Sequence, residues 1–300
     1  MFNIISKTKY AYIFSGIVSI ASILSLLVWG LKYDIDFTGG TRMVVKFAQE
    51  TPAKDEVIDA LKGFDLKSLT LQGIEGNSMV IRYASEDDKL NSDVWQAVVT
   101  KYPEATQSSV DFFNSSVSGE LKSKSVNALI LAILAIMAYI AWAFRKVSHP
   151  VESWKYGAGA VIALVHDVLI TTGFFSFLGH FYGVEIGIPF IAALLTILGF
   201  SVHDTIVVYD RTRENLLRSS HKTPFPEVVN QSLNETLVRS INTSLTVIIT
   251  LLAIYLFGGV AIKYFALALL VGVTFGTYSS IFIATALLVT SYELTIKYKK

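Results

Sequence analysis

The sequence predicts a polytopic α-helical membrane protein with six transmembrane helices and one extracytoplasmic α+β domain between helices 1 and 2. Three observations carry this. Residues 10–31, 125–144, 156–182, 186–208, 240–262 and 264–292 are apolar over lengths that cross a bilayer. Within them the only formal charges are Asp167 and Asp204, whereas soluble core helices rarely stay uncharged for so long. Over residues 32–124 charges return, and short patterned elements replace the long apolar runs. The expected domains are a tail with helix 1 (1–31), the α+β domain (32–124), and a five-helix membrane bundle with a cytoplasmic C-terminus (125–300).

The first span resembles a signal peptide, because Lys7 and Lys9 precede it. Its apolar stretch is too long, and no small-residue cleavage site precedes Lys32, so it reads as an uncleaved anchor. Orientation follows from the short connections. Lys7, Lys9, Arg145, Lys146, Lys155, Arg211, Arg213, Arg218, Lys222, Arg239, Lys297, Lys299 and Lys300 fall on one side, against Lys263 on the other. Both termini are therefore expected in the cytoplasm and the insert outside. Lys and Arg (25) nearly cancel Asp and Glu (24), so net charge gives no reason to expect nucleic acid. There is no cysteine, which excludes disulfides and thiolate metal sites.

In the insert, Met43, Val45 and Phe47 alternate as one face of a strand. Thr51-Pro52 supplies a cap and first turn for a helix carrying Val57, Ile58 and Leu61, with Gly63 near its stop. Residues 68–73 and 78–83 read as strands joined at Glu75-Gly76-Asn77. Ser85 caps a helix carrying Leu90, Val94 and Val98, and residues 107–113 form a weaker last strand. The order β-α-β-β-α-β is the split-βαβ, or ferredoxin-like, pattern. Asp34, Asp36 and Gly39-Gly40 lack the spacing of a calcium loop and read as a tight turn from membrane into sheet.

Asp204 lies in the fourth span, about 10 Å inside the helix from Arg211. An ionised Asp at a helix centre costs roughly 3 kcal/mol, which marks a functional site by default. Asp167 lies near the middle of the third span; bundle packing and a proton path both stay open for it. His166 adjoins it, but adjacent residues point in different directions on a helix, so the two are not a ready-made catalytic pair. In the fifth span Arg239, Asn242 or Thr243, Thr246 and Thr250 make a polar stripe, expected to face the interior with Arg239 near the depth of Asp204. Arg239 meeting lipid headgroups is the alternative. Gly272, Gly276 and Ser280 form a small-xxx-small seam, a part also assigned to Gly199 and Ala192, and Pro189 suits a first helical turn. Tyr209-Asp210 lacks the Gly-x-Gly-Asp partner of intramembrane aspartyl proteases. Gly-x-Ser-x-Gly, His-Glu-x-x-His and phosphate-loop motifs are also absent, so no enzyme activity is expected.

One span, an insert and five further spans match the layout of SecF-type subunits of the bacterial SecD/SecF export family. Asp36-Phe37-Thr38-Gly39-Gly40 resembles its Asp-Phe-x-Gly-Gly, residues 163–171 its third-span motif, residues 199–215 its most specific signature, and residues 237–244 its fifth-span entry. Many relatives have Asn where this chain has His203, a departure that bears on local proton affinity. The resemblance implies an auxiliary subunit in the bacterial cytoplasmic membrane, acting with SecD beside SecY/SecE/SecG, with YajC as an optional partner, on translocating preproteins. The energy source would be the proton gradient, with no cofactor. SecD and SecF together resemble resistance-nodulation-division transporters. Asp204 matches the proton-carrying Asp and Arg239 its partner, with Asp167, Thr205, Thr243 and Thr246 as accessory polar groups. Two further classes remain: half of a proton-driven small-molecule or lipid exporter, and a non-conducting translocon scaffold, which would not need Asp204 ionisable.

Overall fold

The computed structural model describes residues 2–74, 76–145, 151–219 and 223–298. Glu75, Lys146, Lys222, Lys299 and Lys300, used above for a turn and for orientation, lie outside the described residues. Helix α1 (Thr8–Val28) buries only Ala11, Ser15, Ser22 and Ser25, a stripe of small residues. The chain then turns at Asp34, whose carboxylate accepts from the Ile35 amide and starts a single helical turn, α2 (Ile35–Thr38). Gly39 and Gly40 end it with φ of 78° and 143°, and a Cβ on Gly40 would lie 2.4 Å from the Tyr83 carbonyl oxygen. Only glycine makes that turn. The expected tight turn is thus one turn of helix followed by two glycines.

The insert continues as β1 (Gly40–Lys46), α3 (Lys54–Leu61), β2 (Thr70–Ile74), β3 (Ser78–Tyr83), α4 (Asp88–Lys101) and β4 (Thr106–Phe113). The strands pair in the order β2-β3-β1-β4, all antiparallel. Met43, Val45, Leu61, Met79, Ile81 and Val94 fill the space between sheet and helices, as period-two and helical spacing require. Three local expectations shift. Ser68 has φ 55°, so the second strand starts only at Thr70. Helix α3 begins after Ala53 with no side-chain cap, past Thr51-Pro52. Asp87, not Ser85, caps α4 by accepting from Lys89 N, because a full negative charge suits the positive helix end better. Ser85 Oγ instead accepts from Asp87 N.

Asn114 caps α5 (Ser115–Ala143), which leaves the sheet directly. Next come α6 (Ser153–Tyr182), ended by left-handed Gly183, and α7 (Ile188–Arg218), with proline in its first turn as expected. Helix α8 (Phe225–Phe257) starts well before residue 240, because Val228, Val229 and Leu233 continue its buried face. Helix α9 (Val260–Ser279) runs through a π-helical turn (Ser280–Ala284) into α10 (Thr285–Tyr298). Six helices among the described residues are long and apolar enough to cross a membrane.

Helices in lipid associate through close packing of small residues rather than by the hydrophobic effect. A Cβ on Gly173 of α6 would meet Ser22 Cβ of α1 at 2.3 Å, and one on Gly272 of α9 would meet Ile197 Cδ1 of α7 at 2.1 Å. A Cβ on Gly276 would sit 3.0 Å from Ser201 Cβ. Gly199 and Ala192 do not share this part: both are exposed, and nothing lies within 4 Å of a Cβ built on Gly199. The α7 face against α9 carries Ile197 and Ser201, and Gly199 points away from it.

The insert meets the bundle at a seam. Ile186 N donates to Lys32 O (2.8 Å) and Asp34 N to Ile186 O (2.9 Å). The Asp36 carboxylate accepts from Ile188 N (3.2 Å) at the start of α7. Burial, reinforced by the Asp34 charge, holds Asp36 above its ordinary value, and burial does the same for Glu185 against the pull of Lys32.

Gly272→Ala should cost about 1–3 kcal/mol by overpacking and lower the unfolding temperature in detergent, whereas Gly199→Ala should leave it unchanged. A carboxyl whose folded value is raised binds its proton more readily folded than unfolded. Seam stability therefore falls as pH rises from about 4, the unfolded Asp value, through the raised value. Asp36→Asn keeps an oxygen acceptor for Ile188 N and should flatten that fall in thermal unfolding; an unchanged slope would reject the assignment.

Candidate functional site

Both intramembrane carboxylates are enclosed, Asp167 at 0% and Asp204 at 3% exposure, but they are held very differently. Asp167 projects from α6 between two other helices. Its Oδ2 accepts from Ser201 Oγ of α7 (2.6 Å) and from Ser279 Oγ of α9 (2.7 Å). Its Oδ1 lies 2.9 Å from His166 Nδ1. Adjacent on one helix, the two nonetheless touch: the imidazole folds back along its own helix, its ring centroid 6.3 Å from that of Tyr278. His166 Nε2 is buried without a hydrogen-bond partner among the described residues. A neutral ring donating from Nδ1 leaves that nitrogen a bare acceptor.

Asp204 lies one turn along α7 from Ser201, on the same face. Among the described residues its hydrogen bond is long: Ser244 Oγ of α8 stands 3.5 Å from Oδ2. Ser244 Oγ in turn accepts from Thr277 Oγ1 of α9 (2.6 Å). One turn before Ser244, Ser240 Oγ is buried and lacks a partner among the described residues. The polar groups thus form a ring. Asp167 binds Ser279, α9 carries Thr277, Thr277 binds Ser244, Ser244 approaches Asp204, and α7 returns through Ser201 to Asp167. Asp167 is a tightly satisfied hub, and Asp204 has spare acceptor capacity and a spare hydroxyl nearby. Chemically, the second arrangement suits a group that changes protonation state, since it loses few fixed hydrogen bonds when it does.

The polar stripe of α8 does not face inward. Arg239, Asn242, Thr243, Thr246 and Thr250 are exposed, and the buried face is Ser232, Thr236, Ser240, Ser244 and Leu251. The threonines need no interior partner, because each donates to its own helix: Thr243 to Arg239 O (2.8 Å), Thr246 to Thr243 O (2.8 Å), Thr250 to Thr246 O (2.9 Å). The Arg239 guanidinium makes no ion pair among the described residues and does not contact Asp204 in this arrangement. Of the accessory groups, Asp167 is in the ring, Thr205 is buried beside it and donates to Ser201 O (3.2 Å), and Thr243 and Thr246 lie outside. Ser201, Ser244, Thr277 and Ser279 were not singled out from the sequence as partners. The signals for them were the i−3 spacing of Ser201 from Asp204 and the Ser240/Ser244 pair.

Toward the chain termini α7 and α8 are clamped. Arg211 Nε donates to Glu235 Oε2 (2.5 Å), and Asn215 Nδ2 donates to the same oxygen (2.8 Å) and to Ser232 Oγ (3.0 Å). Tyr209 and Asp210 part company: the buried Tyr209 hydroxyl donates to Ala284 O in the π turn (3.0 Å), whereas exposed Asp210 pairs with Arg213 (3.1 Å).

The sequence profile described as protein export membrane protein SecD/SecF, C-terminal, matches residues 94–294. A protein translocase subunit SecF from Thermobaculum terrenum is 44% identical over 299 residues, covering 95% of this chain and 92% of that one. Its namesake from Escherichia coli O157:H7 is 36% identical over 286 residues, covering 93% and 84%. The crystal structure of SecDF, a translocon-associated membrane protein from Thermus thermophilus, superposes with a TM-score of 0.80 at 31% identity. It covers 96% of this chain, which spans 38% of that longer polypeptide.

The hub and the loosely held carboxylate should separate in a stability measurement. Asp167→Ala strands the Ser201 hydroxyl, at about 1–3 kcal/mol, and leaves Ser279 only its own-helix bond to Gly276 O (3.1 Å), so it should lower the unfolding temperature sharply. Asp204→Ala should lower it far less; equal losses would refute the distinction.

Proposed function

The chain belongs to the SecD/SecF family of protein-export membrane proteins, and we propose that it is the auxiliary subunit that, with SecD, couples proton flow to late translocation or release of exported proteins. Asp204 is the proton carrier. The observation that carries this is its setting: an enclosed carboxylate with one long hydrogen bond, and with the Ser240 hydroxyl beside it but not in good hydrogen-bond geometry, next to a carboxylate whose bonds are all short. Protonated, Asp204 is neutral and compatible with its apolar span. Ionised, it needs a cation, and Arg239 is that cation. Arg239 precedes Ser240 on α8, so a partial turn of α8 and the reach of a long stem bring the guanidinium toward Asp204. The two states therefore differ in helix contacts, which any proton-driven shift requires.

Helix α7 starts at the seam with the α+β domain, so a change around Asp204 reaches that domain through Ile188 and Asp36. The relationship to SecDF supports SecD as partner. SecY/SecE/SecG, YajC and the translocating preprotein complete the proposed assembly. It sits in the bacterial cytoplasmic membrane with both termini cytoplasmic and residues 32–124 outside. No cofactor takes part; the proton gradient drives the cycle.

Vesicles containing the translocon, SecD and this subunit test the proposal by preprotein transport with and without an imposed gradient. Asp204→Asn should assemble normally and lose most of the gradient-dependent stimulation. Arg239→Met should fail similarly, and Asp167→Asn, which keeps an acceptor for both serines, should fail less. A fully gradient-responsive Asp204→Asn protein would defeat the proton assignment and leave family and fold untouched.

A further inference from the structure

A groove of about 610 Å³ runs between α8 and α9 on the face of α8 opposite its polar stripe. Its walls are apolar, made chiefly by Ile4, Leu237, Ile241, Leu245, Ile248 and Phe282. One end is closed by the N-terminal segment, which is tied across α8 rather than trailing free. Asn234 Oδ1 accepts from Phe2 N (2.7 Å), Asn230 Oδ1 from Ile4 N (2.8 Å), and both amide nitrogens donate to Phe2 O (3.0 and 2.8 Å). Lys7 stands on this rim, exposed and without an ion pair among the described residues.

We propose that this groove holds one acyl chain of an anionic phospholipid whose headgroup rests on Lys7. The wall from Leu237 to Ile248 is about 16 Å long, and half of a hydrocarbon core about 30 Å thick is about 15 Å, so the groove matches the depth of one leaflet. Its polar groups do not call for a polar ligand. Ser244 Oγ donates to Ser240 O (2.8 Å), Thr277 Oγ1 is engaged with Val273 O (2.9 Å) and Ser244, and Tyr278 OH donates to Ala11 O (3.1 Å). With those hydroxyls satisfied, hydrocarbon enters without stranding a donor. The groove opens where Ile241 and Leu245 are 46% and 50% exposed, on the surface a bilayer covers. A cation at the headgroup end selects a negative lipid over a zwitterionic one. Ser244 and Thr277 belong to the polar ring, so the chain would lie against the α8–α9 side of Asp204 and keep water from it. The binding itself stands whether or not Asp204 carries protons.

The test uses the full chain in nanodiscs containing phosphatidylglycerol, or phosphatidylcholine, with a photoreactive group in the acyl chain, and maps adducts by mass spectrometry. Adducts should concentrate on Ile241, Leu245, Ile248 and Phe282 over exposed Ile13, Ile17 and Ile20 of α1. Leu245→Trp should reduce groove labelling to the α1 level. Lys7→Gln, at an exposed position that leaves folding intact, should cut the preference for phosphatidylglycerol about fivefold. Equal labelling of α1 and the groove, or the same lipid preference with and without Lys7, would overturn the proposal.

Discussion

The Asp167 carboxylate, clasped from two sides by Ser201 and Ser279, is the contact on which the arrangement of the bundle depends. In lipid the backbone satisfies itself within each helix, and apolar side chains gain little by leaving hydrocarbon for protein. Register must then come from close approach and from polar groups with a single good partner. The two act together here. Gly272 and Gly276 let α9 approach Ile197 and Ser201 of α7, which brings Ser279 within reach of the carboxylate that Ser201 already holds. The π turn begins immediately after Ser279, and one of its carbonyls, Ala284 O, accepts from Tyr209 of α7. A local irregularity in the last span is therefore stitched to the same helix that supplies Ser201 to the hub.

That anchoring gives the second carboxylate its freedom. Ser279 and Thr277 are two residues apart on α9, and each serves a different carboxylate, directly or through Ser244. With Asp167 holding α6, α7 and α9 together, Asp204 and α8 can change partners without loosening the core. The same division explains why Arg239 lies outside the ring in this arrangement while an unpartnered Ser240 hydroxyl faces inward.

What the sequence revealed follows the strength of its physical signals. Asp167 and Asp204 stand out because a charge inside an apolar run is expensive, and the β-α-β-β-α-β order is visible because alternation and helical spacing differ so clearly. Gly39-Gly40 could be read as a turn because only glycine takes those angles. The hydroxyl partners were hidden, since serines and threonines in membrane helices commonly bond their own backbone, as Thr246 and Thr250 do. The same habit misdirected the reading of α8: a stripe that satisfies itself can face outward, and small Ser240 and Ser244 make the tighter interior face. The contact of His166 with Asp167 was hidden for a rotamer reason, because Cβ direction does not fix where an imidazole ends. Neither Asp36 reaching Ile188 nor Glu235 gathering Arg211 and Asn215 could be read, because each joins residues distant in the chain.

Helix α7 connects these parts mechanically. Its first amide, Ile188 N, is bound at the seam by Asp36, its far end is clamped by Arg211 and Asn215 to Glu235, and Asp204 lies about 24 Å along it from Ile188. A helix is stiff along its axis, so a shift at Asp204 cannot be absorbed by stretching; it must appear as tilt or rotation at one end. The clamp gathers three donors on one glutamate, Gln231 joining Arg211 and Asn215, and the seam end is held by the Asp36 bond to Ile188 N together with the backbone bonds of Ile186 to Lys32 and Asp34. Both ends of α7 are thus tied, one to α8 and the other to the chain that enters the α+β domain.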